Sequence, residues 1–265
     1  MGKVFLVDVS RCSGCFNCQL ACKDEFCGND WRPYSAPQPK TGHFWCKVHE
    51  NVCGTIPKVK IHYITGMCNH CEKALCMEAC PENAISRRED GLILIDPEKC
   101  TGCGKCAEAC YYDDVIYMNK DLGIAQKCTG CAHLLDHGHE MPRCVDACPT
   151  DALRWVDESE VGDAKPLISD AGAKVYYKKI PGKFIAGTVY DPVEKEVIIG
   201  GACVLTDGVT TWETQTDSYG DFWFKDLPVG VYDLRITYPG FQGIVFEKIS
   251  TEKDRNLDDI PMNRA

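Results

Sequence analysis

From Phe184 to Ser250, apolar and polar residues alternate in short runs, each closed by Gly, Pro or Asp. The runs "FIAGTVYD", "GACVLT", "TWETQT", "DFWFKDL", "VYDLRITY" and "IVFEKIS" follow one another with turn residues between them. A period of two sends every second side chain to one face. The stretch therefore predicts a small antiparallel sandwich of about seven strands, with Phe222 and Phe224 facing one side and Trp223 the other. No charged or nucleophilic constellation interrupts it, so docking or stabilisation is its expected role. Upstream the pattern changes. "KVKIHYI", from Lys58, alternates like one arm of a short hairpin inside an insertion at residues 23–66. Residues 156–183 read as a mostly extended connector. No apolar run approaches the ~18 residues that would span a bilayer as a helix.

Residues 1–155 show neither period at length; cysteine sets their pattern. "CSGCFNCQLAC" places Cys12, Cys15, Cys18 and Cys22 within eleven residues. The motif returns at an offset of 88 residues as "CTGCGKCAEAC", with Cys100, Cys103, Cys106 and Cys110. A second type of quartet lies after each copy: Cys68, Cys71, Cys76 and Cys80, then Cys128, Cys131, Cys144 and Cys148. Two-residue gaps let one tight loop turn its sulfurs inward. The fourth cysteine, one helical turn on, faces elsewhere, as in two-cluster bacterial ferredoxins, where it ligates the other cluster. Pro81 and Pro149 follow the fourth cysteines of the second and fourth quartets, suggesting that this cysteine opens a helix. Sixteen thiols in four such sets point to four [4Fe-4S] clusters. Zinc is the alternative, but a third thiol two residues after a knuckle is surplus to a tetrahedral site. No βαβ pattern surrounds any pair, which argues against a thioredoxin-type motif. Spacing alone leaves open which quartets exchange ligands.

The chain has 265 residues, room for two domains, and 20 cysteines. Clustering in quartets, with no signal-peptide pattern at the N-terminus, argues against a disulfide scaffold. The formal net charge of −10 disfavours a nucleic-acid ligand and calls for positive charge on any docking partner. Cys27, Cys46, Cys53 and Cys203 are left over, and Cys46 and Cys53 read as free thiols. His137 and His139, in "DHGHE", read as a solvated loop and not as a metal pair. Lys127 and Arg143 flank cysteines of the fourth quartet and could raise nearby potentials or simply face water.

Residues 3–155 resemble the four-cluster iron–sulfur subunits of the dimethyl-sulfoxide-reductase superfamily of molybdenum and tungsten enzymes. The resemblance lies in all four quartets, in "REDGLILIDPEKCTGC" and in "QKCTGCAHLL…PRCVDACPTDAL". It implies a nested pairing. Cluster 1 would take Cys12, Cys15, Cys18 and Cys148; cluster 2, Cys22, Cys128, Cys131 and Cys144. Cluster 3 would take Cys68, Cys71, Cys76 and Cys110; cluster 4, Cys80, Cys100, Cys103 and Cys106. A similarity to the small subunits of transhydroxylases acting on phenols extends over nearly the whole chain, through "KVYYKK" and the terminal sandwich. The sandwich, with "GTVYD" and "YPGF", also resembles the transthyretin-like or carboxypeptidase-regulatory type. Those transhydroxylase subunits lack the third-quartet cysteines, all of which are present here.

The fold expected is α+β: tandem bacterial-ferredoxin-like modules binding four [4Fe-4S] clusters over residues 1–155, the connector, then an all-β transthyretin-like or Ig-like sandwich over 184–265. The resemblance implies a non-catalytic electron-transfer subunit. Its partners would be a large molybdopterin-containing catalytic subunit and an external electron donor or acceptor. Hydroxyl transfer between phenols is redox-neutral, so a complete third quartet suggests net redox chemistry on a hydroxylated aromatic, by reductive dehydroxylation or anaerobic hydroxylation. A redox-neutral transhydroxylase subunit and a stand-alone polyferredoxin are the alternatives. The expected location is cytoplasmic, or exported with a signal-bearing partner.

Overall fold

The computed structural model describes residues 2–265. It divides into two compact units: residues up to Glu50 together with His62–Ile180, and Asn51–Ile61 together with Pro181–Ala265.

In the first unit Lys3–Asp8 is the central strand of a three-stranded sheet. Leu153–Asp157 pairs with it antiparallel and Val175–Lys178 pairs with it parallel. Covered on both edges, "VFLVD" is buried throughout, as a continuous apolar run in a central strand should be. The connector expected at 156–183 is thus largely part of this unit, since Val175 and Tyr177 belong to its core. Around the sheet lie two small hairpins, Ile85–Arg87 with Ile93–Ile95 and Tyr117–Asn119 with Ile124–Gln126. Among the described residues α-helices are few and short; Asn17–Phe26 is the longest and the other four have four or five residues. The core is built from Phe5, Phe26 and Trp45 and from the cysteines themselves: Cys18, Cys22, Cys68, Cys128, Cys131 and Cys144 are all buried in it. Surface ties brace the loops, and Arg88 grips Asp136 with two bonds of 2.9 and 2.7 Å.

The second unit is all-β. One sheet runs Glu196–Val197, Lys183–Asp191, Asp221–Leu227, with Arg255–Pro261 added on Lys183–Asp191. The other runs Thr211–Gln215, Ala202–Thr206, Val231–Thr237, Ile244–Ser250. Phe222 and Phe224 are buried in the core between Ile185, Leu205, Leu234 and Ile236, while Trp223 is on the opposite side. Two features depart from the strand pattern read in the sequence. Arg255–Pro261 is an additional strand, and it pairs in parallel, so the sandwich is not purely antiparallel. "RNLDDIP" is too polar to declare a strand, having only Ile260 buried. The hairpin Cys46–Thr55 and Lys58–Met67 also divides between the units, its tip grouping with the sandwich. At that tip Gly54 sits so close to Phe184 that a Cβ would come within 2.4 Å of the ring, and it covers the first part of Lys183–Asp191, where Phe184 to Gly187 are all buried.

Candidate iron–sulfur sites

The four quartets share one local geometry. Each opens with a Cys-x-x-Cys loop whose third residue has positive φ: Gly14 (67°), His70 (45°), Gly102 (67°) and Gly130 (65°). Glycine reaches this region without a Cβ penalty. At Gly102 nothing larger fits, because an added Cβ would lie 2.2 Å from the Gly123 carbonyl oxygen. The third cysteine then lies in a helix and the fourth follows four residues later: Cys18 and Cys22, Cys76 and Cys80, Cys106 and Cys110, Cys144 and Cys148. Except at Cys22, the fourth cysteine ends the helix instead of opening it, which corrects the expectation from sequence. The prolines agree with the correction. Pro81 and Pro149 stand just past a helix they could not continue.

Sulfurs from distant quartets meet. Burial raises the pKa of Cys12, and the neighbouring Cys18, Cys148 and Cys15 add to the rise. Cys22 is raised by burial and then by Cys144, Cys128 and Cys131. Cys68, Cys71, Cys76 and Cys110 line one cavity, and Cys80, Cys100, Cys103 and Cys106 line another. The groups also touch in sequence. The Cys46 thiol interacts with both Cys144 and Cys18, which places it beside both the first group and the second. Cys128 feels Cys68, and Cys106 feels Cys76, so the order continues through the third group to the fourth. At the two ends Cys15 and Cys103 are exposed, whereas all four sulfurs of the second group are buried.

The residues present fit four-iron clusters. Among the described residues no three Cys, His, Asp or Glu side chains are arranged for a single metal ion. No cysteine among them is in a disulfide. Backbone N–H groups donate to ligand-type sulfurs: His70 to Cys68 (3.5 Å), Ala84 to Cys80 (3.4 Å), Ala125 to Cys100 (3.3 Å), Gly130 to Cys128 (3.3 Å) and Leu153 to Cys148 (3.4 Å). Such bonds stabilise negative charge on sulfur. Two buried polar atoms in the loops, His70 Nε2 and Thr129 Oγ1, lack any protein partner. Buried polar groups are rarely left so unless another group satisfies them.

The thiols themselves call for cations. Burial, with repulsion between neighbours, pushes Cys71 and Cys128 up to about 12 and Cys106 to about 11; burial takes Cys76 to about 11 against the pull of Lys127. Without iron they keep their protons, so iron must displace them. Reconstitution with iron and sulfide should therefore release protons and slow as pH falls, which a pH dye in weak buffer will read. The iron-free chain should behave in the opposite sense. Its stability from these groups is complete below the ordinary thiol value of about 8.5 and is lost as pH rises toward their folded values. Urea unfolding of iron-free protein between pH 7 and 10 tests the sign.

Several residues take on meaning only in space. Cys46, read as a free thiol, is buried between two groups, where its interaction with Cys18 helps lower that thiol to about 7. His70 stands where the other three loops have Gly; that mismatch between sibling motifs is a signal the sequence does carry. Arg143 is partly exposed and paired with Asp146, while Lys127 is buried. His137 and His139 are exposed. Cys203 lies in the sandwich core, Cys27 has its sulfur 3.9 Å from the Pro39 carbonyl, and Cys53 is bonded to Asp254.

Comparison with known proteins agrees with both units. Residues 59–158 match the family described as a 4Fe-4S dicluster domain, and residues 185–262 the carboxypeptidase regulatory-like domain. The small subunit of pyrogallol hydroxytransferase from Pelobacter acidigallici is 33% identical over 253 residues, covering 89% of this chain and 90% of that one. A subunit of the anaerobic dimethyl sulfoxide reductase of Escherichia coli is 36% identical over 170 residues, 58% of this chain and 74% of the relative. The thiosulfate reductase electron transfer subunit PhsB of Salmonella typhi is 34% identical over 160 residues, 60% and 78% of the two chains. With its thiol-lined core and a relative matched almost end to end, this chain belongs to the family of iron–sulfur subunits of the dimethyl-sulfoxide-reductase superfamily.

Proposed function

We propose that the chain is an electron-transfer subunit holding four [4Fe-4S] clusters and serving the molybdopterin site of a larger catalytic subunit. Cys12, Cys15, Cys18 and Cys148 would hold cluster 1, and Cys22, Cys128, Cys131 and Cys144 cluster 2. Cys68, Cys71, Cys76 and Cys110 would hold cluster 3, and Cys80, Cys100, Cys103 and Cys106 cluster 4. Bound there, such clusters supply one-electron redox capacity at potentials set by charge, hydrogen bonds and exposure. The chain's own residues do the rest. Burial of Cys22, Cys128, Cys131 and Cys144 keeps water from the middle of the array. The exposed Cys15 and Cys103 put one sulfur of each terminal group within reach of a partner surface. Each cluster would have a full set of protein ligands, so no open iron position is left for a substrate. The chain does not catalyse bond-making on its own.

The proposed reaction of the complex is net redox chemistry on a hydroxylated aromatic, with an external donor or acceptor. The complete third quartet carries this reading, because a redox-neutral exchange has no need of a full path to an outside partner. A second reading, service to a redox-neutral hydroxyl transfer, is favoured by the similarity to pyrogallol hydroxytransferase across both units. Anaerobically purified protein should contain about sixteen irons and sixteen acid-labile sulfides. The holoenzyme should need an electron donor or acceptor to turn over. Zinc in place of iron would end the cluster assignment, and full turnover without a redox partner would decide for the second reading. Among the described residues no helix is long and apolar enough to cross a membrane, which is compatible with a cytoplasmic complex or with one exported by a signal-bearing partner.

A further inference from the structure

Lys127 precedes Cys128 in the fourth quartet and is only 3% exposed. Its ammonium donates to the carbonyl of Ile93 and to that of Cys128, the latter at 3.1 Å. Ile93 lines the space enclosed by Cys68, Cys71, Cys76 and Cys110, while Cys128 belongs to the neighbouring group. The charge therefore lies at the junction between the second and third sulfur groups. Among the described residues no carboxylate pairs with it. Two carbonyls are thin compensation for an ammonium withdrawn from water, and buried charges normally persist only beside an opposite charge.

The neighbouring groups isolate this charge. His70 Nδ1 accepts the Ile93 N–H at 2.9 Å, so that nitrogen carries no proton and the ring is neutral, with its proton on Nε2. Ile93 is thus held by His70 at its N–H and by Lys127 at its carbonyl. Arg87 is exposed and Lys174 half-buried, where water screens them. The positive charge of Lys127 acts on Cys76, Cys110 and Cys128, sulfurs of both inner groups, opposing the larger rise that burial gives each thiol.

We infer that Lys127 is a built-in cation that raises the reduction potentials of clusters 2 and 3, the inner pair of the array. The inference rests on the four-cluster reading and adds to it. Reduction places one more negative charge on a thiolate-held cluster, and a fixed positive charge beside the ligands favours that state over the oxidised one. The effect is large only where water is excluded, which holds for Lys127 and not for Arg143.

The test is an anaerobic redox titration of the holoenzyme followed by electron paramagnetic resonance, with iron and sulfide counted in each sample. In K127Q and K127M the reduction equilibria of the inner clusters should each fall about tenfold, equivalent to about 59 mV for a one-electron couple. Clusters 1 and 4 should move less, and K127R should keep wild-type potentials. Unchanged inner potentials in K127Q, or an equal fall in K127R, would overturn the inference. If K127Q sheds an inner cluster, retention of that cluster by K127R supports the need for charge, and its loss there too overturns it. Wild-type protein without four-iron signals would instead defeat the underlying cluster reading.

Discussion

A Cys144→Ala variant will contain about four fewer irons than wild type and will carry electrons between donor and catalytic subunit more than ~100-fold more slowly, since even second-sphere partners of metal sites are worth ten- to a hundredfold. The size of the effect follows from where Cys144 sits. It belongs to the only group whose four sulfurs are all buried, so neither water nor an added thiol can reach the gap. It also lies within the series of groups, reached from Cys18 through Cys46 on one side and continued from Cys128 to Cys68 on the other. Losing it interrupts the order instead of shortening an end. Cys15→Ala makes the contrast, because Cys15 is exposed and an exogenous thiol can take its place. Iron analysis and stopped-flow reduction of the two variants, with and without added thiol, compare them. Equal losses and equal rescue at both sites would refute the linear arrangement.

The second large effect concerns the sandwich unit. Lys58, 6% exposed at the hairpin tip, forms an ion pair with Asp221, whose side chain is 22% exposed and also accepts a 2.8 Å hydrogen bond from Thr188. Lys58 and Lys60 also stand over the Trp223 ring, at 5.9 and 4.7 Å from its centre. Lys58→Met keeps most of the packing but leaves Asp221 without its counter-charge. Breaking a buried pair in this way costs ~3–5 kcal/mol, and the partial exposure of Asp221 places this one at about 3. For a unit of this size that lowers the unfolding midpoint by more than about 10 °C. Adding Asp221→Asn should recover part of the loss, since no lone charge then remains, and calorimetry of the four proteins gives the coupling directly. A cost below about 0.5 kcal/mol would mean that the pair behaves as a solvated surface contact.

Local spacing carried the chemistry. Two-residue gaps in the first and third quartets confine three sulfurs to one loop, and in all four quartets the last cysteine follows the third by four residues, so the quartets and their ferredoxin-like form can be read without coordinates. Alternation likewise revealed the sandwich, because a half-buried strand writes its burial into every second residue. Its last strand is illegible for the same reason, since "RNLDDIP" is mostly exposed and has no alternation to read.

What the tertiary structure alone decided is how remote segments meet. The Cys148 thiol lies near enough to Cys12 to raise its pKa, although it comes from the far end of the first unit, and no local rule of spacing selects that neighbour. Lys127 and Arg143 are equal in sequence, each one residue before a cysteine, yet one is sealed at a junction and the other reaches water. Cys46 reads as an ordinary thiol until the chain closes around it, and Asn51–Ile61 reads as an insertion until it groups with the sandwich. Burial, and with it the strength of every charge and hydrogen bond, is set by what covers a residue, and here the cover comes from segments far away along the chain.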